Sequence, residues 1–132
     1  MTPDKEDLWF IPLGGCGEIG MNLNLYGHDG QWLIVDCGLT FSDKPSPSSK
    51  DTKQDIPEPP NSARARRDVQ MADPAFIAER ASDIAGLIIT HAHEDHVGAV
   101  AYLWPQLRCP VYTTAFTAYI LRKKLALSLI HI

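Results

Sequence analysis

The 132-residue chain is short of cysteine, of net basic charge and of long apolar runs, and each shortage excludes a class of protein. Cys16, Cys37 and Cys109 are odd in number, widely spaced and in no Cys-x-x-Cys pair. They suggest neither a disulfide framework nor a thiolate zinc site, and a reducing cytoplasm is the expected compartment. Twelve Lys plus Arg face sixteen Asp plus Glu, a net charge of −4, which argues against a protein that coats nucleic acid through charge alone. No window is long and apolar enough to span a bilayer, and the charged opening Thr2-Pro3-Asp4-Lys5-Glu6-Asp7 has no apolar signal core. A soluble protein with no membrane contact, not exported by that route, is expected. Hydrophobic residues make up 45% of the chain, enough at this length for the core of one compact domain and not of two.

What the chain has in abundance is histidine at one place. Thr90-His91-Ala92-His93-Glu94-Asp95-His96-Val97-Gly98 puts three histidines and an aspartate within six consecutive positions. Imidazole nitrogens and a carboxylate oxygen are the ligands a zinc-like ion takes where no thiolate is offered. His91 and His93, two apart, can leave one face of an extended segment and grip one ion. Asp95 and His96, past a bend, can point at a second ion close by. Three unrelated surface histidines are the plain alternative, and their crowding into one loop tells against it. Before the motif, Ile84-Ala85-Gly86-Leu87-Ile88-Ile89 has the near-continuous apolar character of a buried strand. After it, Val97, Val100, Ala101 and Trp104 recur at helical spacing, with Pro105 as the expected stop. The motif is therefore a strand-to-helix loop, where α/β folds place their sites. Glu94, between the ligands, is expected to face solvent.

The remaining segments read as a scaffold. Residues 8–13 form a first strand that runs into Gly14, Gly15, Gly17 and Gly20, whose spacing fits neither a Walker loop nor a dinucleotide fingerprint and predicts a structural turn near the metal floor. Residues 22–26 alternate polar and apolar, and the turn Gly27-His28-Asp29-Gly30 leads to residues 31–35, so a hairpin is predicted with His28 exposed in its turn. Asp36 ends that second strand. From Ser42 to Val69 there is no aromatic residue, and half of the ten prolines lie between Pro45 and Pro60, as in a flexible surface excursion. Its Arg64-Ala65-Arg66-Arg67 is read as a solvated basic cluster. Asp73-Pro74 opens a short helix with Asp as cap and Pro at the first helical position. Val111-Tyr112-Thr113 makes another strand, and Thr114 caps a helix on which Phe116, Tyr119, Ile120 and Lys123 share a face. Arg122-Lys123-Lys124 is expected to be a solvated end.

The histidine loop resembles the His-x-His-x-Asp-His signature of the metallo-β-lactamase superfamily, whose members are mostly two-zinc hydrolases. Around it, Leu13-Gly14-Gly15-Cys16-Gly17-Glu18-Ile19-Gly20-Met21-Asn22, Val35-Asp36-Cys37-Gly38, Ala72-Asp73-Pro74 and Pro110-Val111-Tyr112-Thr113-Thr114, then Phe116-Thr117-Ala118, are together similar to the bacterial ribonuclease J family of the β-CASP branch. The resemblance implies an α/β fold over residues 1–126, the amino-terminal part of an αββα sandwich, incomplete. It implies two zinc ions, one on His91 and His93 and the other on Asp95 and His96, that activate a hydroxide against an RNA phosphodiester. By the same carry-over Asp95 and His96 are the catalytic pair, Asp95 orienting the nucleophile, and Asp36 braces the histidine loop without binding metal. RNA is the implied partner, and the full-length protein is expected to be a homo-oligomer.

The chain departs from the family in two places. Residues 43–66 look like an insertion, and 127–132 do not resemble the family but match the translation of a common transposon-end sequencing adapter. The further histidines and bridging aspartate that complete such a site, and the β-CASP domain that grips RNA, are missing. An amino-terminal fragment without nuclease activity of its own is therefore expected. Two other readings share these residues: a fragment of a thioester or lactone hydrolase of the same superfamily, and a non-catalytic half-domain that binds a partner or misfolds.

Overall fold

Strands that alternate polar and apolar side chains bury one face, and the chain follows that rule from Trp9 onward. In the computed structural model, which describes residues 2–42 and 68–127, β1 (Trp9–Gly14), β2 (Leu23–His28) and β3 (Gln31–Val35) form an antiparallel meander. Asp29 and Gly30, with φ of 47° and 73°, close the predicted hairpin in the doubly left-handed turn that matches the twist of its strands. His28 is exposed beside it, its Nδ1 2.8 Å from the Asp7 carbonyl oxygen.

β4 (Leu39–Ser42) and β5 (Asp68–Met71) pair antiparallel as a separate two-stranded sheet. The predicted excursion thus begins and ends in strands, which corrects its reading at Ser42 and Val69. Its interior lies outside the described residues, as do the 43–66 insertion, the arginine cluster and all of the predicted tail except Leu127.

α1 (Ala75–Ala78) starts one residue later than expected. Pro74 stands in the cap position, its carbonyl accepting the Ala78 N–H at 2.8 Å, while Asp73 Oδ1 accepts the Ala75 N–H at 2.9 Å. A single 3₁₀ turn, Ala81–Asp83, leads to β6 (Ile84–Ile88), which lies parallel to β3. α2 (Glu94–Val97) and α3 (Val100–Leu107) follow, then β7 (Val111–Tyr112), parallel to β6, and α4 (Ala115–Leu127). The main sheet has the order β1-β2-β3-β6-β7.

Pro105 does not stop α3, which continues to Leu107 and ends on Arg108 in the left-handed conformation. An interior proline removes one hydrogen bond, here to the Ala101 carbonyl. Burial of Leu103 and Leu107 holds the last turn nonetheless. On α4 the side turned to the protein carries Thr117, Leu121 and Leu125, each one turn apart. Phe116 and Tyr119, on the predicted shared face, are 68% and 55% exposed. Thr114 does begin that helix, its carbonyl accepting the Ala118 N–H at 2.9 Å.

One face of the main sheet presents Leu25, Trp32, Ile34 and Leu87, all buried in a single cluster with Ile77, Val100, Leu107 and Leu121 from the helices. On the other face Phe10 stands opposite Tyr26 with ring centroids 5.1 Å apart, and both are exposed. The described residues are therefore a mixed α/β arrangement, with a helix layer on one face of the main sheet and a partly open face behind it. That is part of an αββα sandwich, as expected from the resemblance.

Candidate metal centre

Because β3 and β6 are parallel neighbours, their carboxyl ends leave the sheet side by side. Asp36 and Thr90 follow those ends, and the Asp36 N–H extends the ladder to the Ile88 carbonyl at 2.8 Å. Asp36 has a φ of 65°, a left-handed conformation that aspartate tolerates better than most residues, and it is only 5% exposed. Its side chain needs partners there, and it finds them on the histidine loop. Oδ1 accepts the Thr90 N–H at 2.8 Å, both oxygens lie 3.0 Å from Thr90 Oγ1, and Oδ2 lies 2.7 Å from His96 Nδ1.

These contacts select tautomers. A carboxylate oxygen only accepts, so His96 must donate from Nδ1, which leaves the lone pair of a neutral ring on Nε2. The Thr90 hydroxyl spends its one proton on Asp36. The Thr90 oxygen is then the acceptor for His91 Nδ1, 2.9 Å away, and His91 too is left with Nε2 free. A single buried carboxylate thus prepares two imidazoles to bind a cation.

His91, Asp95 and His96 do converge, each with a ligand atom within 4.8 Å of the other two. His96 Nε2 lies 3.4 Å from Asp95 Oδ2. His93 stands just outside that group, at the amino-terminal boundary of α2, with its ring centroid 4.7 Å from that of His91. The His91 ring is nearer still to His96, at 4.0 Å, so His91 adjoins both His93, its partner in the predicted pair, and the second predicted pair. Three ligand atoms at this separation, two of them imidazole nitrogens braced from behind, fit a zinc-like ion.

α2 is a single turn and has little stability alone, so its surroundings must hold it. The Asp95 carbonyl accepts the Asn22 N–H at 3.1 Å and Asn22 Nδ2 at 2.9 Å, and the His96 carbonyl accepts the Cys37 N–H at 2.8 Å. Gly38 packs so closely that a Cβ on it would lie 1.6 Å from the Asp95 carbonyl oxygen. The glycine-rich segment is thus a structural turn whose far end, Asn22, forms part of the floor, as the spacing predicted. Burial and the nearby Cys109 and Asp36 push the Cys37 thiol up to about 12, which keeps it a protonated packing residue.

Glu94 and Lys124, both expected to face solvent, are half-exposed and also form an ion pair that joins the loop to α4. Thr90, Asn22, Gly38 and Lys124 were not recognised as site residues from sequence. Three of them lie within the recognised motifs, whereas nothing local marks Lys124.

The fold and this loop define the class: the chain belongs to the metallo-β-lactamase superfamily, whose family model, described as "Metallo-beta-lactamase superfamily", matches residues 20–128. That superfamily is metal-dependent, in keeping with the donor set on the loop.

Within it, the similarity runs to ribonuclease J. The chain is 46% identical over 125 residues to Ribonuclease J of Sinorhizobium meliloti, covering 92% of this chain and 19% of that protein. It is 33% identical over 122 residues to Ribonuclease J2 of Bacillus subtilis, covering 92% of this chain and 19% of the relative. It is 36% identical over 114 residues to Ribonuclease J of Mycolicibacterium smegmatis, covering 85% and 17%. The chain therefore spans less than a fifth of the length of these relatives.

Proposed function

We propose that the chain carries the histidine loop of a zinc-dependent, ribonuclease J-like hydrolase of RNA phosphodiesters, as its amino-terminal portion, and that it is inactive by itself. The observation that carries this reading is the convergence of His91, Asp95 and His96 above Asp36, together with the similarity to ribonuclease J. Two zinc ions, when bound, supply Lewis acidity and a nucleophile at neutral pH. In this reading His91 and His93 hold one ion, and Asp95 and His96 hold the other. Asp95, whose carboxylate is 37% exposed beside His96, also orients the attacking water toward the phosphate. Asp36 acts through others, setting the tautomers of His96 and His91.

Inactivity follows from the ligand count. A two-zinc site takes more ligands than one loop offers, and His28 is tied to the Asp7 carbonyl on the far hairpin. RNA as partner, a cytoplasmic location and a homo-oligomeric assembly belong to the complete protein in this reading. The test is incubation of the highly purified chain with end-labelled RNA and added zinc. No cleavage is expected, and cleavage abolished both by chelation and by His93→Ala would refute the proposal. One structural feature favours the half-domain reading as a companion: Phe10, Tyr26 and Tyr112, all exposed, lie on the open face of the sheet. A chain that needs a partner layer should bind hydrophobic dye in its folded state.

A further inference from the structure

Glu94 sits between two proposed ligands, His93 and Asp95, yet its carboxylate is not part of the metal-capable group. It is paired with Lys124, thirty residues away on α4, the two side chains being 43% and 32% exposed. Gly98 allows this, since a Cβ there would lie 2.5 Å from Glu94 Oε2. The carboxylate lies over the only residue type that leaves it room. On the opposite side α2 is held by Asn22, Asp36 and Cys37, all from the first two motifs. Lys124 reaches the loop from a different part of the fold. The geometry points to Lys124 as a positioning residue for the metal loop, acting through Glu94: it draws the carboxylate out of the ligand set and fixes the one-turn helix that carries Asp95 and His96.

This inference rests on the metal reading above, and its test separates the two. Removing Lys124 alone also removes a positive charge near the site, which by itself would favour a cation. The informative variant is therefore Lys124→Met with Glu94→Gln, because the pair is neutral both before and after. Zinc affinity is measured by calorimetry on the full chain, and amide exchange is followed at Val97 and Gly98, whose N–H groups bond to His93 and Glu94 carbonyls at 2.9 Å.

A half-exposed pair has a modest effect, so zinc binding about three- to fivefold weaker is expected for the double variant, with faster exchange at both amides and an unchanged melting temperature. Lys124→Arg, which can remake the pair, should restore both readouts. Affinity and exchange equal to the unaltered chain would overturn the proposal. If the unaltered chain binds no more zinc than His96→Ala, the metal reading fails, and exchange at Val97 and Gly98 alone decides the positioning role. If the double variant does not fold, Glu94→Asp, which keeps the charge but shortens the reach, takes its place under the same criteria.

Discussion

Replacing Asp36 separates its support of the fold from its preparation of the metal ligands. Asp36→Asn keeps the size of the side chain and tolerates the φ of 65°, but it offers one acceptor where two directions need one. If its oxygen faces Thr90, its amide meets the Nδ1 of His96. That imidazole must then hold its proton on Nε2, the nitrogen meant for metal. If the amide flips, it meets the Thr90 N–H instead, donor against donor. The fold loses one hydrogen bond of ordinary strength, about 1–2 kcal/mol. Zinc affinity should fall by about 10–100-fold, the usual effect of losing a partner behind a ligating histidine, which is about 1.4–2.8 kcal/mol.

Asp36→Ala also strands the Thr90 N–H and removes the short polar side chain that eases the left-handed backbone, so a loss of about 3–5 kcal/mol is expected. Urea denaturation in the presence of chelator measures the first quantity without metal linkage, and calorimetric titration of the folded variant with zinc measures the second. An Asp36→Asn chain that is folded and binds zinc within about twofold of the unaltered protein would refute the tautomer argument.

The other expectations concern the ligands, the packing under them and the thiols. His91→Ala, Asp95→Asn and His96→Ala should each weaken zinc binding by about tenfold or more, and His93→Ala by less, because only the first three converge; calorimetry on the four variants gives the ranking. Gly38→Ala should destabilise the chain by about 1–3 kcal/mol in urea, since its Cβ would meet the backbone of Asp95 and not a flexible side chain. Exposed Cys16 should be alkylated well before buried Cys37 and Cys109 in the native chain, and equal rates by mass spectrometry would contradict the described burial. The folded Cys37 thiol sits at about 12 against an ordinary 9.0, so its contribution to stability is complete below about pH 9 and is lost as pH rises toward about 12. Urea midpoints should fall over that window, and less steeply in Cys37→Ala.

Much of this architecture was legible because it is local. The alternation of residues 22–35 specified a hairpin, Asp29-Gly30 specified its turn, and the apolar run before Thr90 specified a buried strand ending at the ligands. Where reading failed, a distant contact outweighed a local rule. Pro105 is a helix breaker until Leu107 is buried two residues later, and the pairing of β4 with β5 joins segments that no short window contains. Apolarity alone did not reveal which side of α4 is buried, since the aromatic residues Phe116 and Tyr119 are exposed, while Thr117, Leu121 and Leu125 meet the core.

The sequence by itself determined which atoms are available: three imidazoles and two carboxylates within six positions, with Asp36 at the end of another strand. Ligand chemistry is a property of the side chain, and it can be read without coordinates. Tertiary structure alone decided how those atoms are prepared. Pairing β3 with β6 brought Asp36 to Thr90 and His96, and packing α4 on the core brought Lys124 to Glu94. Tautomers and loop position depend on directional contacts between residues 30 to 73 places apart in the chain, which no local pattern encodes.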